Sequence, residues 1–251
     1  MAELDITETV HYKHSAFETI GSPAVNDEIV LTPKPVYDFF KRIFDFVSAL
    51  AASIVLLIPM AIICIVIMIK DPGNPFFLHK RLGKDFKEID VFKFRCMKEG
   101  AENIEKTLTP KQQAEYKKEY KLSDDPRLIG YEKPGDGETC FGAKMRRTSI
   151  DEIPQILFNI LIKGNMSVVG PRPILRSELE ENYTPEEQKL LLSVKPGLTG
   201  YWQAYARNTV GYVTGKRQEM ELYYIRNRSF LFDMKIILKT VTAVLFGRGA
   251  I

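Results

Sequence analysis

Little in this 251-residue chain points to a disulfide-stapled or metal-stapled scaffold. Three cysteines, Cys64, Cys96 and Cys140, are too few and too scattered for a disulfide framework. No Cys-x-x-Cys or Cys/His cluster offers zinc spacing, so the cysteines read as unpaired thiols in a reducing compartment. Histidine is as sparse: His11 and His14 could share a helix face but no third ligand joins them, and His79 stands alone. Charge of one sign is also missing. With 35 Lys+Arg against 32 Asp+Glu, the concentrated basic field of a nucleic-acid binder is not there. The N-terminus is polar and acidic, unlike a cleavable signal peptide, and there are no repeats or low-complexity tracts. What remains is length enough for one well-buried domain with some accessory chain. Partners carrying local negative charge, such as phosphates or lipid headgroups, stay open.

What the chain has is one long uncharged run, Phe46 to Ile69, FVSALAASIVLLIPMAIICIVIMI. About 20 apolar residues suffice to cross a bilayer as a helix. Pro59 stands near its middle, where it removes a helix hydrogen bond and clashes with the preceding turn. The flanks are basic on both sides, Lys34, Lys41 and Arg42 before, then Lys70, Lys80, Arg81, Lys84 and Lys87 after. A spanning helix biases Lys and Arg toward its cytoplasmic end. Basic flanks at both ends fit a re-entrant helix-break-helix that returns to the same face, with Pro59 as the break. A Pro-kinked spanning helix is the alternative, and a buried core helix needs fewer uncharged residues than these.

The remainder gives a mostly helical α+β expectation. Residues 1–33 form a tail, 34–70 the re-entrant helix and 71–251 a globular domain. Asp71-Pro-Gly-Asn-Pro75 is a turn cluster that stops the helix. Glu88 to Met97 alternates apolar and charged residues as a strand does. Residues 99–122 predict an exposed helix or pair of helices interrupted at Pro110, and 131–139 a loop. Met166 to Val169 predicts a short strand leading into Gly170-Pro-Arg-Pro173. Phe230 to Phe246 has a broad apolar face that fits either a membrane interface or the core.

The sharpest local pattern is Arg146-Arg-Thr-Ser-Ile-Asp-Glu-Ile-Pro154. On a helix, neighbours Asp151 and Glu152 point about 100° apart, so they are no tight acid pair. One could attack phosphorus, as carboxylates do, while the other positions a metal or second substrate. Against this, Ser149-x-x-Glu152 also fits a helix capping box. In Gly170-Pro-Arg-Pro173 two prolines restrain Arg172, which suits bidentate phosphate binding and also a plain rigid turn. Lys93 and Arg95 share a strand face and could reach phosphate or simply line an edge. Tyr201 and Trp202, before Arg207, could stack on a base or fill the core.

Taken in order, Lys41-Arg-x-x-Asp45, the hydrophobic run broken at Pro59, Lys93-Phe-Arg-Cys-Met97, Ser149-x-Asp-Glu152, Gly164-x-Met-Ser-x-Val-Gly-Pro-Arg-Pro173 and Lys195-Pro-Gly-Leu-Thr-Gly200 resemble the bacterial sugar transferase family, the monotopic polyprenyl-phosphate phosphoglycosyl transferases. Each motif is weak alone; six in sequence are specific, and they cover Lys34 to the C-terminus. The resemblance implies a re-entrant membrane helix, interfacial amphipathic helices and an active site on the cytoplasmic face of the bacterial inner membrane. It implies a Mg²⁺-dependent, two-step reaction. In it Asp151 attacks the sugar-bearing phosphate of a UDP-sugar and UMP leaves, and the sugar phosphate then passes to polyprenyl (undecaprenyl) phosphate. Asp151 and Glu152 would hold the metal, and Lys93, Arg95, Arg146, Arg172 and Arg207 the phosphates or nucleotide-sugar. The segment from Glu99 to Arg127 resembles the hexose-1-phosphate branch, galactose or glucose. A homodimer is compatible with the family, and nucleic acid is no expected partner. Ile58 stands where many relatives have Ser before the proline, and Ala206 where they have Gly before Arg207. Two other functions compete: a non-catalytic membrane scaffold for glycan assembly, and a sugar-only transferase that releases UDP.

Overall fold

In the computed structural model, residues 33–119, 122, 124–206 and 215–245 are described, so of the expected tail only its last residue falls within them. The first element is helix α1, Pro35–Lys70, which starts on a proline at N1 and ends where Pro72 follows Asp71. At about 1.5 Å per residue its 36 residues extend roughly 54 Å. Asp45, Ala49, Ser53, Met60 and Ile67 are buried, with Leu56, Ile63 and Cys64 half-buried between them. Those steps of three and four make one continuous seam along the helix. The other faces leave Phe39, Phe40, Ile54, Val55, Ile58 and Ile69 exposed.

Two helices parted at Pro59 are the sequence expectation; the structure has one helical element running through it. A proline removes a single ladder bond, and the seam on both sides of it holds the remainder in place. α1 is the one described helix long and apolar enough to cross a membrane.

Strands β1, Phe76–Leu82, and β2, Glu88–Phe94, form an antiparallel hairpin with His79 opposite Val91 and Phe77 opposite Lys93. β2 stops at Phe94, short of the expected Met97. The chain there turns away so that the Cys96 carbonyl accepts from Ile129 N–H and Met97 bridges Leu128. Two exposed helices follow as expected, α2 (Ile104–Thr107) and α3 (Pro110–Glu119), then α4 (Phe141–Arg147). The intervening loop is pinned by the Asp124 carboxylate, which accepts from Gly135 N–H, Gly137 N–H and the Tyr131 hydroxyl.

A second small sheet pairs β3 (Ser167–Val169) in parallel with β4 (Gly197–Thr199). It joins two motifs that lie far apart in sequence, because Gly197 N–H donates to Pro171 O and Gly170 N–H to Thr199 O. Glycine is required by closeness here: a Cβ on Gly170 would stand 2.5 Å from Lys195 O and 2.7 Å from Gly197 N. Helices α5 (Arg176–Asn182), α6 (Pro185–Leu191), α7 (Tyr201–Ala206), α8 (Lys216–Asn227) and α9 (Phe230–Leu245) enclose the largest core, built on Leu179, Leu190, Tyr224, Ile225 and Ile236. Of the two readings of the last helix, core packing applies to one face. α9 buries Asp233 and Ile236 and leaves Phe230, Leu231, Leu238 and Val241 exposed.

Candidate active site

Asp151 and Glu152 lie on a 3₁₀ turn, Ile150–Glu152, not in the first turn of an α-helix. The capping box drawn from Ser149 is not formed. Ser149 takes φ +57°, a left-handed conformation rare for a non-glycine residue, and its side chain caps nothing. The tighter turn sends the Asp151 carboxylate inward, 8% exposed, while Glu152 stays half-buried. Lys93 on β2 spans both, its Nζ 2.8 Å from Glu152 Oε1 and 3.5 Å from Asp151 Oδ2.

What holds strand and turn in register is Asn159, fully buried in the π-helical segment Ile156–Ile162 that follows Pro154. Its Oδ1 accepts from Phe92 N–H at 2.9 Å, and its Nδ2 donates to Asp90 O at 2.7 Å and Asn165 Oδ1 at 3.1 Å. A wide helical turn at this point is unusual and often marks a functional site. Packing beneath it comes from Ala49, Ile89, Val91, Ile160 and Met166.

Burial pushes the Asp151 carboxyl above the usual carboxylate range, with Glu152 adding to the rise and Lys93 and Arg146 opposing it. Arg146 is exposed in the last turn of α4. Cys96, buried nearby, is driven up to about 12, first by burial and then by the Asp151 charge, which leaves it an unreactive thiol.

Lys93, Glu152 and Arg172 line one narrow cleft together with His79, Arg81 and Gln203. His79 is pushed down to about 4, by burial first and then by Arg81, Lys93 and Arg172, so at neutral pH it is an uncharged imidazole among cations. Neither His79 nor Arg81 stands out in the sequence. Their only signal is the two-residue spacing that puts both on one face of β1; the cross-strand register makes that the face of Lys93. Under the Arg172 turn, Glu221 is buried, accepts from Arg172 N–H at 3.4 Å and is raised to about 7 by burial. Beside it Arg217 lies 4.1 Å over the Trp202 ring.

Arg95 does not join this cleft. It pairs with Asp71 Oδ2 at 2.7 Å and also donates to the Asp71 carbonyl, which ties β2 to the end of α1. Tyr201 and Trp202 are buried in the main core, so of their two readings packing applies. Arg207 lies outside the described residues.

Lys93, Glu152 and the proline-framed Arg172 thus line one basic cleft, with Asp151 buried beside Glu152, an arrangement suited to phosphorylated ligands. The chain belongs to the bacterial sugar transferase family, whose profile matches residues 36–247. It is 39% identical to a UDP-galactose-lipid carrier transferase of Erwinia amylovora over 216 residues, 84% of this chain and 42% of that protein. With the undecaprenyl-phosphate galactose phosphotransferase of Salmonella typhimurium it shares 38% identity, over 84% of this chain and 42% of the relative. Against the exopolysaccharide production protein ExoY of Rhizobium meliloti identity is 35%, over 94% and 99%. The chain thus spans about two-fifths of the first two relatives and nearly all of the third.

Proposed function

We propose that this chain transfers a hexose-1-phosphate from a UDP-hexose to a polyprenyl phosphate at a membrane surface, releasing UMP through a covalent phosphosugar on Asp151. The observation that carries the reading is the Asp151–Glu152 turn under Lys93, opening on the Arg172 cleft. Asp151 is withdrawn from water yet, among the described residues, keeps only a 3.5 Å ion pair, which leaves a carboxylate oxygen to attack phosphorus in line. The Asp151–phosphorus bond forms as the bond to UMP breaks. In the second step the polyprenyl phosphate oxygen displaces Asp151 and takes the sugar phosphate. Lys93, Arg81 and Arg172 neutralise phosphate charge, and Arg146 serves from the rim. Arg207 belongs to the same proposal as an outer contact to the nucleotide-sugar.

Asp151 and Glu152 fit Mg²⁺, which takes one or two carboxylates and completes its shell with substrate phosphates and water. Both carboxylates already converge on a single cation, the Lys93 ammonium. When bound, the ion would supply charge neutralisation at the diphosphate.

The membrane part of the reading rests on how α1 is held. At one end Lys34 donates to Arg226 O and Arg228 O, and Lys41 pairs with Asp233 at 2.8 Å. At the other, Asp71 pairs with Arg95, and Met60 and Ile67 pack on Phe94, Ile129 and Met145. A helix whose two ends are both bound to one polar domain is poorly placed to put them on opposite sides of a bilayer. This supports entry and return on one face, with Pro59 inside the membrane and the domain at the cytoplasmic surface of the inner membrane. An apolar groove of about 820 Å³ between the start of α1 and Phe230 adds to the lipid-facing surface.

The hexose preference follows the galactose named for the 39% and 38% relatives, against N-acetylgalactosamine for an Aeromonas hydrophila relative at 31%. The test is nucleotide release from nanodisc-held chain given Mg²⁺, undecaprenyl phosphate and a panel of UDP-sugars. UMP release with UDP-galactose or UDP-glucose, abolished by Asp151→Asn, is the expected result. Release of UDP would mean sugar-only transfer, and no release with any donor would favour the scaffold.

A further inference from the structure

One corner of the domain gathers positive charge that the transfer reaction leaves unused. Three backbone contacts build it. The Asp45 carboxylate on α1 accepts from Val168 N–H at 3.0 Å, and Ser167 N–H donates to Pro196 O at 2.9 Å. That sets the segment before β4 beside the first turns of α1. The tip of the β1–β2 hairpin is then held to the same segment by Asp85 N–H donating to Leu192 O at 2.8 Å.

Arg42, Lys84 and Lys195 meet at this corner. The Lys195 ammonium is held below the usual lysine range by burial first, then by the Arg42 guanidinium, with Asp45 opposing and Lys84 adding. Arg42 donates to Ile160 O at 3.3 Å and lies against Gly164, where a Cβ would stand 2.6 Å from its Nη2. Among the described residues, neither the Lys84 nor the Lys195 ammonium makes an ion pair or hydrogen bond. Asp45, the carboxylate acting on Lys195, is buried and already bound to Val168 N–H. Cations crowded without a counter-ion raise the free energy of the fold, and an arriving anion relieves that.

The surroundings say where the anion comes from. Ile43, Phe46, Val47 and Leu50 on α1 are exposed. Phe86 at the hairpin tip is 41% exposed and, like Asp85, has a left-handed backbone, φ +59° and +57°. A bulky residue in that region is strained. Here the strained turn holds an aromatic ring out to solvent between Lys84 and Lys87. Apolar and aromatic groups beside basic ones are the chemistry of an anionic membrane surface.

We propose that Arg42, Lys84 and Lys195 form a notch for the phosphate of an anionic phospholipid headgroup, with Phe86 and the exposed side chains of α1 entering the apolar layer beside it. The proposal rests on the membrane reading above and is independent of the transfer chemistry.

The test takes the full chain from nanodiscs of equal parts phosphatidylcholine and phosphatidylglycerol and weighs the lipids it retains by native mass spectrometry. Wild-type chain retains phosphatidylglycerol in preference to phosphatidylcholine. A basic residue at an anionic surface is worth about fivefold in affinity, so Lys84→Gln lowers the preference about fivefold and Lys84→Gln/Lys195→Gln roughly 25-fold. Lys106→Gln, at an exposed lysine on α2, leaves it unchanged. Lys84 is exposed and unpaired, so the single variant keeps the test open even if the double variant folds poorly. Equal retention of both lipids by wild type, or an undiminished preference in Lys84→Gln, overturns the notch alone. Retention of inorganic phosphate in place of lipid also overturns it, in favour of a free-ion site. Failure to associate with either lipid overturns the notch and the membrane reading together.

Discussion

Asp233 and Asp151 are both withdrawn from solvent, at 3% and 8% exposure, yet the molecule treats them in opposite ways. Asp233 on α9 is saturated. It accepts from the Tyr37 hydroxyl at 2.7 Å, the Lys41 ammonium at 2.8 Å and the Tyr224 hydroxyl at 2.8 Å, and Tyr224 also donates to Val169 O. Among the described residues the nearest cation to Asp151 is the Lys93 ammonium at 3.5 Å, and it stands closer to Glu152. A buried carboxylate held by three donors, one of them a cation, is a structural joint, since any loosening leaves buried charge uncompensated. A carboxylate kept buried with lone pairs to spare is costly to ionise and reactive once ionised. The first clamps α1 to the domain; the second is where chemistry is expected.

Exchanging the two residues' fates breaks this comparison most directly. Asp151→Asn should lower UMP release roughly a thousandfold or more, because an amide cannot take the nucleophile's place. Its melting temperature should equal or exceed wild type at pH 7.5, since the substitution removes a desolvated charge; calorimetry beside the activity assay checks both. Asp233→Ala should do the reverse. It leaves the Lys41 ammonium and the Tyr37 hydroxyl without their acceptor and Tyr224 with Val169 O alone, and should cost about 3–5 kcal/mol in denaturant unfolding. Activity should then persist at temperatures where the variant stays folded.

A smaller effect sharpens the link between the two regions. Asn159→Ala removes three buried hydrogen bonds and should cost about 2–3 kcal/mol. It should also lower kcat, because Lys93 is no longer held in register over Asp151. The sign of a charge effect can be read at Lys93 itself. This residue is the leading influence lowering the Asp151 carboxyl, so Lys93→Met should move the acidic limb of the pH–rate profile to higher pH. The smallest effect concerns Glu221, raised to about 7. A raised folded-state value means its contribution to stability is full below about 4.5, the unbound carboxyl value, and is lost as pH rises through 7. Glu221→Gln should therefore flatten the fall in melting temperature between pH 5 and pH 8.

The site was legible where its parts are neighbours in sequence. Asp151 beside Glu152, Arg172 between two prolines, and the glycines of the Lys195–Gly200 segment carry their chemistry in local order. The misreadings came where a distant contact outweighed local pattern. Ser149 has the residue type and spacing of a helix cap, but the chain enters the turn through a left-handed residue and closes a 3₁₀ turn instead. Arg95 shares its strand face with Lys93, yet the Asp71 carboxylate at the end of α1 takes it out of the cleft. His79 looked isolated because its companions Lys93 and Arg172 lie on other elements. Asn159 gave no signal, as one asparagine in an apolar stretch says nothing about which backbone it will satisfy.

By itself the sequence determined the long apolar helix, the mostly helical domain with a small strand component, the two motifs that meet at Gly170 and Gly197, and the carboxylate pair. These depend on residue type and short-range spacing, which survive without knowledge of the fold. Only the tertiary structure decided that both ends of α1 are tied to one domain, that one aspartate has three donors and the other a single long ion pair, and that Arg42, Lys84 and Lys195 come to one corner. Each of those depends on which backbone and charged groups come within a few ångströms across long stretches of chain, where burial sets the strength of every interaction.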